Sequence, residues 1–174
     1  MSADYDQLMK SFKAQCLVLA CGNTLREDDA IGPFLAAWVE EHFSSEPGVR
    51  VVSRQQWTPE LAEEISQAAS VLFLDCSIES PPGAIRLDAV QPAQPSPGLA
   101  THHLGAQELL ALAQELYGSM PRNSLLLTIG AGSTELGESF SESVSAALPE
   151  ACDLLKSTIS QMVSTQTSAD TPPA

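Results

Sequence analysis

The sequence predicts an α/β protein: a three-layer α/β/α sandwich on a mainly parallel, twisted sheet with one antiparallel edge strand. Three patterns predict it. Short, uninterrupted apolar runs mark strands covered on both faces. Amphipathic segments of helical period fall between those runs, and such alternation requires crossovers between parallel strands, expected to be right-handed. One run, "GAIRLDAV" (83–90), instead alternates apolar Ile85, Leu87 and Ala89 with Arg86 and Asp88. That period of two suits an edge strand with one wet face.

In chain order, "CLVLACG" (Cys16 to Gly22) is the first buried strand. After a turn rich in acids, "AIGPFLAAWVEEHF" sets Ile31, Phe34, Leu35, Trp38 and Val39 at helical spacing. Pro33 is tolerable only in that helix's first turn. "VRVVS" (Val49 to Ser53) is the second strand. "TPELAEEISQA" is a helix with Thr58 as N-cap and Pro59 at the first helical position. "SVLFLDCS" is a third strand, its apolar run ending on Asp75.

The edge strand is followed by the proline-rich loop "QPAQPSPG" and then by the amphipathic helix "HHLGAQELLALAQELYG". "SLLLTIGAG" is another buried strand, and "SESVSAALPEACDLLKSTISQMV" a final helix with Pro149 as a candidate bend. Residues 1–163 are expected to form a single domain, and residues 164–174 a polar, disordered tail.

The totals narrow the function classes. The 174 residues suit one domain and are 44% hydrophobic and 17% charged, as expected of a compact chain. Twenty-two acids oppose 8 bases, a net charge of -14. That balance argues against nucleic acid and against anionic membrane surfaces. Cys16, Cys21, Cys76 and Cys152 form no C-x-x-C pair, so zinc-ribbon and thioredoxin-like readings fail. The opening "MSADYDQLMKSFKAQ" lacks a long apolar stretch, and no run approaches the roughly 20 residues that span a bilayer. A cytoplasmic location with reduced thiols is the expectation.

Parallel sheets collect ligands beyond the carboxyl ends of their strands. The first strand exit carries "REDD", ending in Asp28 and Asp29, the third carries Asp75, and the loop before the next main helix carries Thr101, His102 and His103. Glycine-rich junctions of this kind ordinarily offer backbone N–H groups to phosphate, whereas this one offers carboxylates. Its guest is therefore expected to be cationic. Two carboxylates and an imidazole form an O,O,N metal-binding set that leaves positions open for water or substrate.

Asp29 lies immediately before the helix and can point across the sheet edge, while Asp28 either caps that helix or braces the turn. Each residue also has a plain structural role. Acids before a helix cap it, an Asp ending a strand caps the next turn, and a His before a helix is often only exposed. Cys21 and Cys76 read as small buried residues, with soft metal ligation the lesser alternative. Trp57 is either core or the wall of a peptide groove. No G-x-G-x-x-G and no G-x-S-x-G is present, which removes dinucleotide and nucleophilic-serine readings.

Four motifs in order, "GNTLREDDAIG", "LFLDCS", "THHLGAQELL" and "GAGSTELGESFSESV", resemble the [NiFe]-hydrogenase maturation protease family across about Leu17 to Leu155. The resemblance implies a sheet sandwiched by helices and an endopeptidase that trims the C-terminal extension of the hydrogenase large-subunit precursor. It implies metal-engaging positions at Asp29, Asp75 and His102, the last through the pattern His-x-Leu-Gly at His102, His103, Leu104 and Gly105.

On this basis Asp29 and Asp75 are the catalytic candidates; water is activated either by a carboxylate general base, Asp29 being preferred, or by a metal that polarises the carbonyl or acidifies the water. The metal is Ni2+ carried by the precursor, another divalent ion being the alternative. Ala20 stands where family members often have glycine, and "RQQWTPELAEEI" replaces a Gly-Thr-rich turn, which bears on precursor identity. A non-catalytic nickel-binding chaperone and a metallohydrolase of a small substrate are the rival functions.

Overall fold

Side chains alternate across a strand, so an uninterrupted apolar run must be covered on both sides. Strand β1 (Cys16–Cys21) meets this condition, as do β3 (Ser70–Ser77) and β5 (Asn123–Gly130), and all three lie inside the sheet. The edges are β2 (Val49–Arg54) and β4 (Ile85–Ala89), giving the order β2-β1-β3-β5-β4. Pairing is parallel except for β4, which runs antiparallel to β5 with Leu87 opposite Leu127. The fold class expected from the sequence is the one observed. The computed structural model describes residues 14–94 and 104–167.

Among the described residues, four helices cover the sheet: α1 (Ile31–His42), α2 (Leu61–Ser66), α3 (Ala106–Tyr117) and α4 (Glu142–Thr167). The period of two in β1 and β3 divides the core between them. Cys16, Val18, Ala20, Leu72 and Leu74 face α1 and α4, whose Leu35, Val39, Leu155 and Ile159 complete that layer. Leu17, Leu19, Val71 and Phe73 face α2 and α3, meeting Leu61, Ile65, Leu109 and Leu110. Each such Leu or Ile contributes about 1.5–3 kcal/mol by leaving water.

Three local expectations change. Thr58 is not the N-cap of α2, because the helix begins later, at Leu61. The carbonyls of Thr58 and Pro59 instead accept the N–H groups of Leu61 and Ala62, at 3.1 Å each, in a lead-in turn. The helix before β5 starts at Ala106, after Leu104 and Gly105; Glu108 Oε2 accepts the Gly105 N–H at 3.0 Å and fixes that start. Helix α4 contains Pro149 and continues to Thr167, past Val163, where the expected helix ends. Residues 168–174 lie outside the described residues, as does 95–98 of the proline-rich loop.

Candidate active site

The carboxyl ends of β1, β3 and β5 open onto one edge, and the first loop there is shaped by glycine. Gly22 has φ +148°, and a Cβ on it would stand 2.0 Å from the carbonyl oxygen of Asp29. Only a residue without a side chain lets the chain fold back so tightly. A single 3-10 turn (Glu27–Ala30) follows and runs directly into α1. Within this loop the Asn23 N–H donates to Asp29 Oδ2 at 2.9 Å, and Asn23 Oδ1 accepts the Leu25 N–H at 2.9 Å. The Asp29 carboxylate is thereby held beside the end of β1.

Asp75 leaves β3 on the same edge, with its Oδ1 accepting the N–H of Cys76 at 2.8 Å. Burial pushes its carboxyl up to about 6; the Cys76 N–H lowers it, and the charge of Asp29 raises it further. Asp29 and Asp75 therefore lie within electrostatic reach of each other. His102 and His103 fall outside the described residues. Among the described residues, no group of three or more His, Cys, Asp or Glu is arranged to hold a metal ion. Asp29, which follows β1, and Asp75, near the end of β3, lie on adjacent parallel strands at the same edge of the sheet.

The neighbouring thiols are electrically silent. Burial pushes Cys21 up to about 12, with Asp75 and Asp29 raising it further against a hydrogen bond from Trp57. Cys76 is likewise pushed up to about 12 by burial and by Asp29, Asp75 and Asp28. Both are free thiols and stay protonated at neutral pH, so neither supplies a thiolate nucleophile. Trp57 packs edge-on against Phe73 with ring centroids 5.4 Å apart, part of the core layer over α2 and α3.

Asp28 settles the choice left open by the sequence: it braces, and what it braces is remote. Fully buried, its Oδ2 accepts the N–H groups of Gly132 (2.7 Å) and Ser133 (3.0 Å), and its Oδ1 accepts that of Ser141 (2.7 Å). Burial raises its pKa, but hydrogen bonds from Ser141, Ser133 and Gly132 outweigh this and hold the carboxyl below its ordinary range. The loop 131–141 after β5 is thus bound to the loop after β1. A parallel bridge between Arg26 and Gly137 continues the contact, with the Glu27 N–H donating to the Gly137 carbonyl at 2.9 Å. No role for this second loop followed from residue types, because its donors are backbone amides.

The same fold occurs in solved hydrogenase maturation proteases. The hydrogenase maturating endopeptidase HybD from E. coli superposes with a TM-score of 0.66 at 20% identity, covering 84% of this chain and 92% of that one. The [NiFe] hydrogenase maturation protease HybD from Thermococcus kodakarensis gives 0.61 at 21% identity, covering 82% and 97%. The [NiFe] hydrogenase maturation protease HycI from the same organism gives 0.61 at 22%, covering 90% and 99%. No protein-family model and no curated protein sequence matches the chain.

Proposed function

We propose that this chain is a cytoplasmic endopeptidase that removes the C-terminal extension of a nickel-loaded [NiFe]-hydrogenase large-subunit precursor. The observation that carries the reading is that Asp29 and Asp75, each anchored by a backbone N–H, stand at the ends of the adjacent strands β1 and β3 on the open carboxyl edge of the sheet. The likeness of fold to three solved maturation proteases supports it, as do the four ordered sequence motifs. Asp29, Asp75 and His102 engage the nickel that the precursor brings, so the ion is part of the substrate. Its contact with these donors positions the scissile bond and checks that loading is complete.

The reaction adds one water across one peptide bond. Asp29 acts as general base, taking a proton from the water as its oxygen attacks the carbonyl carbon. When the intermediate collapses, the C–N bond breaks and the proton passes to the departing amine. Holding water, carboxylate and carbonyl in register supplies a large share of the rate, since orientation alone is worth several kcal/mol.

The test is to incubate purified protein with nickel-loaded precursor and follow the mass of the large subunit. Loss of the extension is the expected result. Asp29→Asn should slow trimming by at least ~100-fold while its melting temperature stays near that of the parent. Normal trimming by that variant overturns the assignment. A stable complex without trimming indicates a chaperone, and no interaction indicates a hydrolase of another substrate. Precursor lacking nickel should stay uncut, and its efficient cleavage contradicts the loading check.

A further inference from the structure

The carboxyl edge carries exposed apolar side chains as well as acids. Leu25 (56% exposed), Ile78 (82%) and Leu136 (83%) stand in the loops that leave β1, β3 and β5. The Arg26–Gly137 bridge and the 3.0 Å hydrogen bond from the Gly137 N–H to the Leu25 carbonyl make Leu25 and Leu136 neighbours. The Ala131 N–H donates to the Ser77 carbonyl at 2.9 Å, holding the root of the second loop beside the residue before Ile78. Exposing a leucine forgoes about 1.5–3 kcal/mol, and clustered apolar exposure marks contact with another molecule.

Charge specifies what that molecule brings. Apart from the buried Asp28, residues 23–29, 78–82 and 131–141 hold Glu27, Asp29, Glu79, Glu135 and Glu138 against the single base Arg26. Arg26 is already engaged, its Nε donating to the Thr134 carbonyl at 3.1 Å. Glu79, Glu135 and Glu138 are exposed beside Ile78 and Leu136. An apolar acidic segment would be repelled here, and a purely basic one would leave the leucines wet. Because Asp28 anchors the second loop from within, the surface is preformed and needs little ordering on contact.

We infer that Leu25, Ile78 and Leu136, with Glu79, Glu135 and Glu138, dock a segment of the precursor that mixes apolar and basic side chains. This rests on the protease reading for the precursor's identity. The docked segment lies next to Asp29 and Asp75, so the surface supplies affinity while the carboxylates serve the chemistry.

Two double variants test it, Leu25→Ser with Leu136→Ser and Glu135→Lys with Glu138→Lys, using nickel-loaded precursor as the probe. Binding is titrated separately from trimming. Each variant should weaken binding and raise KM about tenfold, with kcat within about twofold of the parent and an unchanged melting temperature. Parent binding should weaken as salt is added, and the lysine variant should lose that dependence. Parent trimming with both variants binding normally overturns the docking surface and leaves the protease reading intact. Binding that depends on these residues without any trimming overturns the protease reading and keeps the surface. If the parent does not bind the precursor, both fall.

Discussion

Asp28 and Asp75 bear the same chemical group, yet their surroundings move it in opposite directions. Asp28 has three backbone N–H donors that favour its charged form, so its folded pKa lies below the ordinary 3.8. Its contribution to stability is present above that ordinary value and is lost as pH falls through the folded pKa. Asp28→Asn turns one acceptor into a donor facing other donors and should cost about 2–4 kcal/mol at neutral pH. The penalty should shrink as pH falls below about 4, where the parent loses the same advantage.

Asp75 is the reverse case, raised from 3.8 to about 6. Its contribution is complete below the unfolded value and is lost as pH rises through the folded one. Asp75→Asn should therefore stabilise the fold above pH 6, by about 2 kcal/mol, with no gain near pH 4. Denaturant titrations of both variants across that range check both signs. A gain from Asp75→Asn that does not change with pH refutes the burial account.

At the scale of elements, the site depends on how closely α1 approaches β1. A Cβ at Gly32, in the first turn of α1, would stand 2.1 Å from the Cys21 carbonyl oxygen. Backbone cannot yield as a flexible side chain can, so Gly32→Ala must lift the helix from the strand. The expected result is a loss of about 2–4 kcal/mol; under the proposed function, precursor trimming should fall further than stability because Asp29 moves with the turn. Trimming assayed well below the melting temperature separates the two effects, and full activity there refutes the coupling. Elements of strong period were legible in the sequence, including the antiparallel β4 from Arg86 and Asp88. The start of α2 was not: Thr58 and Pro59 form a good cap on local grounds, but tertiary contact through Leu61 and Ile65 sets the helix two residues later.

Across the whole molecule, the sequence located Asp29 and Asp75 on one edge because strand direction turns position into place. It could not reveal the clasp between the loops after β1 and β5, whose donors are the amides of Gly132, Ser133 and Ser141, more than a hundred residues from Asp28. Backbone donors leave no mark in residue type. Net charge was fully legible, and its consequence is global. Twenty-two acids against 8 bases repel one another across the folded surface, where they lie closer together than in the unfolded chain. Sodium chloride should relieve this by screening, whose range contracts from about 10 Å at 0.1 M to about 3 Å at 1 M. The melting temperature should rise by about 2–5 °C between low salt and roughly 0.5 M, then level off. The plateau decides the cause, since stabilisation through salt exclusion keeps growing with concentration whereas screening saturates. A melting temperature that is flat from the start means that the acids are spaced too widely to strain the fold, and their excess then acts only on partners.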